Sequence, residues 1–420
     1  MGSLKAYRFR IYPDAKRQKE INLRIILAQR LYNKILERVK EEYGKGGKSK
    51  VNMATLNKYM QESINEDKDF LKLYSQTRQE VFMRLIKAYA NFFRRVKEKK
   101  RGKNIKVGFP RFKSIDRYYS IVYPQDNGSF SIEKERKTDL LRVSRIGRMK
   151  IDMHRQMEGT VKTLTIKKEC RKYYAIFTAT NGNNPTDVND INPVGIDMGL
   201  NNFVALSDGK TIQKPKFFKQ KEKRIARWQR IVARRKKGSK RRQTAKEKLQ
   251  KEWNNVTNQS NDFMHKLSDK LVNEGYTSFA VESLNIQNME KNHGLAQSIQ
   301  NASWNRFISM LSYKAESAGM RFVTVPAKDT TQECNMCGSV KKDKDKLTLE
   351  DRIYHCSACG LTMDRDVNAS MNILKRGRAG LARTNAQGDI CPYPSTGRAS
   401  SVEELRTYST VPAEEAPTFR

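Results

Sequence analysis

Four of the six cysteines fall in two pairs, Cys334-x-x-Cys337 and Cys356-x-x-Cys359, with 18 residues between them. A glycine follows each pair at once, Gly338 or Gly360, and permits the tight turn that aims two thiolates at one ion. Two such knuckles close a four-sulfur tetrahedron, so the pattern implies one Zn2+ with a structural role and no open position for chemistry. Four sulfurs already satisfy zinc, so His355, next to the third of them, is expected outside the coordination sphere. Cys170 and Cys391 have no partner at such spacing and read as inert reduced thiols.

Three carboxylates stand where a reaction would use them. Asp197 follows the apolar run Val194-Gly195-Ile196 and precedes Met198-Gly199, Glu282 ends Phe279-Ala280-Val281, and Asp366 opens the helical stretch DVNASMNIL just after the second cysteine pair. Taken singly, an acid at a strand end or helix start is more often a cap or a solvated group. As a set they read differently, because three acids terminate successive core segments in a chain with only 45 Asp and Glu against 83 Lys and Arg. Together they form a candidate ligand set for Mg2+, which takes a few carboxylates plus phosphate oxygens. Two such ions about 4 Å apart would activate a water and stabilise the leaving oxygen of a phosphodiester.

The charge balance supports a polyanionic partner. The 420 residues carry a formal net charge of +38. That repulsion is relieved beside nucleic acid, whose condensed counterions are released on binding. The charge is spread over the whole chain, which disfavours a membrane surface, and no apolar run approaches the roughly 18 residues of a membrane span. The N-terminus MGSLKAYRFRIYP lacks the apolar centre of a signal peptide, so a cytoplasmic protein is expected.

The elements that must position these residues are legible in outline. Residues 5 to 13 alternate, with Tyr7, Phe9 and Ile11 on one face and Arg8, Arg10 and Tyr12 on the other, which predicts a strand. Asp14 is placed to cap a helix carrying Ile21, Ile25, Ala28, Tyr32, Ile35 and Val39, and a second long helix is predicted from Thr77 to Glu98. From Gly108 the runs GFPRFKS, YYSIVY, LLRVSRIG, VKTLTIKK and YYAIFTAT read as short strands, which the first strand would join in a barrel or sandwich. Residues 181–190 look like a linker. Beyond them PVGID, FVALSDGKTI, SFAVE and RFVTV read as strands alternating with helices, one from Ser298 to Ala318, and so as an α/β sheet. Between Lys214 and Lys251 lie 18 Lys and Arg against two Glu, in two helical segments broken at Gly238-Ser239. Phe217, Phe218, Ile225, Trp228 and Val232 interleave with them, as suits helices packed on one side and lying on phosphates with the other.

The runs GIDMGLNNFVAL, VESLNIQNM, the two cysteine knuckles and DRDVNASMNIL, in this order, resemble the RuvC-like nuclease domain of TnpB, the RNA-guided endonuclease family of insertion sequences related to type V CRISPR effectors. FRIYP, RLYN, GFPRFKS and YYAIFTAT resemble that family's N-terminal segments, so the likeness runs from about residue 5 to 375. It implies an α/β RNase H-like (RuvC) nuclease domain at 191–329 and 362–378 with an inserted zinc ribbon at 330–361. It further implies an N-terminal β-barrel-like wedge domain at 1–13 and 104–190 with an inserted helical recognition bundle at 14–103, and a disordered tail at 379–420. By motif match Asp197, Glu282 and Asp366 are the catalytic acids and Mg2+ ligands, Cys334, Cys337, Cys356 and Cys359 hold Zn2+, and Asp364 is structural.

The implied activity is Mg2+-dependent cleavage of double-stranded target DNA, directed by a transposon-derived guide RNA to sites beside a short adjacent motif, with one protein per guide RNA at the nucleoid of a prokaryotic cell. Arg8, Arg10 and Gln18 are candidates for reading the adjacent motif. The basic run 94–113 and the β-rich segment are candidates for gripping RNA, with the Tyr and Phe of GFPRFKS and YYSIVY either stacking on bases or buried in the core. A stand-alone CRISPR effector shares this plan, a nuclease-silent repressor would lack the acids, and a DNA-transposing enzyme fits the ribbon and the N-terminus less well.

Overall fold

The computed structural model describes residues 4–44, 52–135, 138–169, 171–180, 191–199, 201–283, 303–348 and 350–387. Cys170, Cys391, the stretch 181–190, residues 284–289 of VESLNIQNM, the beginning of the helix expected from Ser298, and the tail from 388 lie outside these. Two units hold the described residues, one within 1–183 and one within 184–392.

In the first unit, β1 (Leu4–Tyr12) buries Tyr7, Phe9 and Ile11 and turns Arg8, Arg10 and Tyr12 outward, following the alternation of the sequence. Three helices follow: α1 (Ala15–Gly44), α2 (Met53–Glu66) and α3 (Ser75–Lys100). Their apolar stripes, among them Ile21, Leu31 and Ile35 on α1, Leu56 and Met60 on α2, and Val81, Leu85 and Phe92 on α3, share one core with the sheet. Asn52 caps α2 by accepting from the Thr55 N–H.

The strands β2 (Ser120–Tyr123), β3 (Phe130–Glu135), β4 (Thr138–Val143), β5 (Gly147–Asp152), β6 (Thr160–Glu169) and β7 (Lys172–Thr180) pair antiparallel with β1 in the order β2-β6-β7-β1-β5-β4-β3. The sheet wraps toward itself: Phe130 of β3 meets Phe177 of β7 at 6.0 Å between ring centres, and the Tyr123 hydroxyl of β2 donates to the Ser144 carbonyl just beyond β4. GFPRFKS forms no strand, contrary to the expectation. It runs as irregular chain held to α1 by Asn33, whose side chain donates to the Lys113 carbonyl and accepts from the Lys113 N–H. Phe109 within it packs on Tyr89 and Phe92, so the backbone was pulled from a sheet edge onto the helices.

The second unit contains a five-stranded sheet in the order β10-β9-β8-β11-β12. It is built from β8 (Pro193–Asp197), β9 (Val204–Leu206), β10 (Thr211–Ile212), β11 (Ser278–Ser283) and β12 (Arg321–Pro326). β8 runs antiparallel to β9 and parallel to β11, and β11 runs parallel to β12. The chain first builds outward from β8 on one side and then crosses to the other, so β8 and β11 flank the point where strand order reverses. In open α/β sheets that is where a crevice forms at the C-terminal strand ends.

The crossover from β10 to β11 runs through α4 (Phe217–Arg234) and α5 (Lys240–Val272), which break where the glycine and serine predict. α6 (Trp304–Ser317) buries Trp304, Phe307 and Leu311. α7 (Arg365–Gln387) closes the unit and continues past residue 378, where a tail was expected to begin. Between β12 and α7 lies the ribbon, with the short antiparallel pair β13 (Ile353–His355) and β14 (Thr362–Asp364).

Candidate active site and metal centre

The parallel register of β8 and β11 places Val194 opposite Phe279, Gly195 opposite Ala280 and Ile196 opposite Val281. One step further along, Asp197 and Glu282 emerge side by side at the C-terminal ends of two adjacent strands. α7 crosses the same sheet face. A methyl group on Gly195 would lie 2.1 Å from the Ser370 carbonyl oxygen, and one on Gly377 would lie 2.5 Å from Ala280 Cβ. Only glycines let the helix come so near, and that approach carries its first turn, with Asp366, toward the strand ends. A methyl group on Gly199 would stand 3.8 Å from Asp366 Oδ2.

Burial and mutual repulsion set the state of these acids. Asp197 is 5% exposed and Glu282 7%. Burial, and then the charges of Glu282 and Asp366, push the Asp197 carboxyl well above its ordinary range, against the opposing pull of the Met198 N–H and the Arg365 charge. Burial also raises Glu282, opposed by the Thr330 hydroxyl, Arg376 and a hydrogen bond from Asp197. Both carboxyls are thus held above their ordinary range, chiefly by burial.

Two residues that sequence reasoning passed over hold the acids in place. Thr330 Oγ1 donates to Glu282 Oε1 at 3.3 Å, and Asn202 Nδ2 donates to Asp366 Oδ2 at 3.1 Å. Asn202 is itself fixed because its carbonyl accepts from the Gly199 N–H at 3.1 Å. Asp364 accepts from the N–H groups of Asp366 and Val367 and so caps α7, the structural place expected of it. Two buried carboxyls with a third at the adjoining helix start are a donor set of the type a hard divalent cation takes.

The cysteine cluster is more closed. Among the described residues the four sulfurs are the one group of three or more His, Cys, Asp or Glu ligands placed to hold a metal ion, all within 4.8 Å of one another. Cys334 and Cys359 are 3.7 Å apart and Cys337 and Cys356 are 3.6 Å apart, far too long for a disulfide. They sit near the edge of about 3.8 Å that a tetrahedron with zinc–sulfur bonds of about 2.3 Å requires.

The two knuckles repeat one hydrogen-bond pattern. The Cys334 N–H reaches the Ser339 carbonyl and the Gly338 N–H the Cys334 carbonyl; the Cys356 N–H reaches Leu361 and the Gly360 N–H returns to Cys356. Gly338 and Gly360 have φ of 77° and 74°, which explains why glycine stands there. The Ser339 hydroxyl, then the N–H groups of Cys359 and Ala358, draw the Cys356 thiol below its ordinary value, while the crowding of sulfurs pushes Cys359 above it. His355 stands apart from the sulfurs, with Nδ1 2.9 Å from the Thr362 hydroxyl.

Several proposed nucleic-acid contacts are already engaged within the protein. Arg8 pairs with Glu169 and lies 3.8 Å from the centre of the Tyr174 ring, Arg10 lies over Tyr12 and Tyr174, and the Gln18 side chain donates to the Pro13 carbonyl. Of the aromatics in GFPRFKS and YYSIVY, Phe112 and Tyr119 are exposed, whereas Tyr118 and Tyr123 are buried. On α4, only Ile225 is buried. Phe218 stacks on Trp253, Arg224 pairs with the buried Glu252, and Lys248 lies over Trp228, which leaves the remaining faces of the helix pair basic.

A protein of Streptomyces pristinaespiralis, provisionally named an RNA-guided DNA endonuclease, is 31% identical over 417 residues, 95% of this chain and 96% of the relative. The chain belongs to the TnpB family. An Escherichia coli K12 protein with the same provisional designation is 28% identical over 91% of this chain and 94% of its own length. The family profile described as "Probable transposase" matches residues 176–293, and the "Cas12f1-like, TNB domain" matches 304–373, which brackets the ribbon and the start of α7.

A profile described as a helix-turn-helix domain matches residues 1–48, yet residues 4–44 form a strand and one helix of 30 residues. Among solved structures, a Cas12f1–sgRNA–target DNA complex aligns with a TM-score of 0.50 at 14% identity, covering 89% of this chain and 98% of that one. This likeness is one of fold, and the four-cysteine cluster is of the kind a zinc ribbon carries. No helix among the described residues is long and apolar enough to cross a membrane.

Proposed function

We propose that this TnpB-family chain is an RNA-guided DNA endonuclease that hydrolyses phosphodiester bonds of double-stranded DNA at the site formed by Asp197, Glu282 and Asp366. The observation that supports the proposal is the arrival of Asp197 and Glu282 on neighbouring parallel strand ends, with α7 packed closely on them at Gly195 and Gly377 and the charge of Asp366 felt at Asp197. The names of the full-length relatives support RNA guidance and DNA as substrate. Residues 1–13 and 104–190 would form the wedge, 14–103 the recognition bundle, 191–329 and 362–378 the nuclease body, and 330–361 the ribbon.

Asp197, Glu282 and Asp366 would hold two Mg2+ ions, and Cys334, Cys337, Cys356 and Cys359 one Zn2+. Bound there, Mg2+ would polarise the scissile phosphate and lower the pKa of the attacking water. The chain's own part is to bury Asp197 and Glu282, and to hold Glu282 through Thr330 and Asp366 through Asn202. One protein would act with one transposon-derived guide RNA, base pairing would select the target, and protein contacts to backbone would tip a nearly balanced strand exchange.

The test is cleavage of double-stranded DNA by the purified protein with its co-purified RNA. Asp197→Ala is expected to abolish cutting while guide and target binding persist. Cutting at the parental rate would sink the assignment.

A further inference from the structure

We infer that Asn368, Asn372 and Arg376 on α7 are positioning residues, a polar ladder that sets the carboxylates through the segment entering the cysteine ribbon; this rests on the nuclease reading above. The three recur every fourth residue, so they line one side of the helix. All three grip residues 326–335. Arg376 Nη1 donates to the carbonyls of Pro326 at 3.2 Å and Lys328 at 2.5 Å, while Nη2 meets the Glu333 carboxylate at 2.6 Å. Asn372 Nδ2 donates to the carbonyls of Thr330 at 3.0 Å and Glu333 at 2.7 Å. Asn368 Nδ2 donates to the same Glu333 carbonyl at 2.7 Å, and its Oδ1 accepts from the Asn335 N–H at 3.0 Å.

The chemistry of the ladder argues for positioning beyond adhesion. Asn368 and Asn372 are 0% and 1% exposed, and Asn372 Oδ1 is buried with no hydrogen-bond partner. Burying an amide with an unmet acceptor costs free energy that an apolar contact between helix and ribbon would avoid. What the amides add is direction, because an N–H aimed at a carbonyl fixes register where apolar side chains slide.

Both ends of the ladder touch functional groups. Asn335 lies between Cys334 and Cys337, so Asn368 holds the first knuckle. Asp366 sits on the first turn of α7, two residues before Asn368. Thr330, whose carbonyl Asn372 holds, turns its hydroxyl to Glu282. Knuckle, helix and two of the three acids thus form one hydrogen-bonded chain, and loss of a rung should loosen the Mg2+ ligands without emptying the zinc site. Partners that orient metal ligands from behind typically cost 10–100-fold in affinity or activity when removed.

The experiment compares the guide-loaded parent with Asn372→Leu, with Thr330→Val, which keeps its shape should the first variant fold poorly, and with the double variant. The expected result is a rise of about 10- to 100-fold in the Mg2+ concentration for half-maximal cleavage in each single variant. Zinc should remain at parental content and target binding at parental affinity. The double variant should be no worse than the worse single, since both cut the same chain of contacts. An unchanged Mg2+ dependence, strictly additive losses, or loss of zinc together with cutting would overturn the inference. Asp197→Ala runs beside them. If it is dead while the ladder variants behave as the parent, this inference alone fails; if it cuts normally, the nuclease reading fails and takes the ladder with it.

Discussion

A buried carboxyl group near two others faces two costs when ionised, lost hydration and repulsion, and Asp197 carries both. Its folded-state pKa lies above the ordinary carboxylate value of about 3.9. The folded chain therefore binds more protons than the unfolded chain above that pH, and stability falls as pH rises through the window between the two values. The sign is opposite to that of a salt-bridged surface acid such as Asp14, which Arg17 holds below its ordinary value. In Mg2+-free buffer, Asp197→Asn should accordingly raise the melting temperature, with a gain that vanishes below about pH 3, where Asp197 is neutral in the folded and the unfolded chain alike, and grows toward neutral pH. Thermal unfolding at several pH values checks this. A gain that shrank with rising pH would mean that Asp197 is stabilised as an anion in the metal-free protein. If the proposed cations bind there, neutralising charge would restore what folding gives up, and cation binding should be coupled to proton release.

At the scale of elements, the site depends on how near α7 comes to the sheet. Gly195→Ala would force a methyl group to within 2.1 Å of a main-chain oxygen, which a side-chain rotation cannot relieve. The expected loss is about 3 kcal/mol of stability, the upper end for overpacking, with reduced cleavage because Asp366 is displaced with its helix. Chemical denaturation beside a cleavage assay measures both, and an unshifted midpoint would show that the helix can retreat freely. Much of this architecture was legible: the alternation of β1, the helical spacings of α1 and α3, the break between α4 and α5, and the cysteine knuckles all carry local signals. What was missed depends on context. Leu56, Tyr59, Met60 and Ile64 of α2 gave a helical spacing that the surrounding polar residues obscured. GFPRFKS looked like a strand because its aromatics suit sheets, but Asn33 and the aromatic cluster of α3 claim it. The pairing of Asp197 with Glu282 arises from a parallel register between segments 85 residues apart, for which no local pattern exists. Thr330, Asn202 and the α7 asparagines resemble ordinary loop and helix-surface residues until tertiary structure buries them or aims them at the acids.

For the whole molecule, the governing quantity is the net charge of +38, and its densest concentration is the pair α4 and α5. Packing accounts for one side of that pair: Ile225 is buried, Phe218 stacks on Trp253 and Arg224 meets the buried Glu252. Lys223, Arg227 and Arg230 are exposed on α4 and none has a carboxylate partner among the described residues. Left in water, such a row only repels itself. Beside a polyanion each cation displaces condensed counterions, and the logarithm of affinity falls with the logarithm of salt concentration by about 0.9 per phosphate contact on a duplex and about 0.7 on a single strand. Replacing Lys223, Arg227 and Arg230 together by Gln should therefore weaken binding of guide RNA or target DNA and flatten the salt dependence by about two to three units of slope. The decisive measurement is the slope on each ligand, because a folding defect lowers the active fraction at every salt concentration and leaves the slope alone. A reduced slope on RNA alone would assign the hairpin to the guide, and on DNA alone to the target. An unchanged slope on both would make this dense basic face a solvated surface, leaving the polyanion to the other basic segments of the chain.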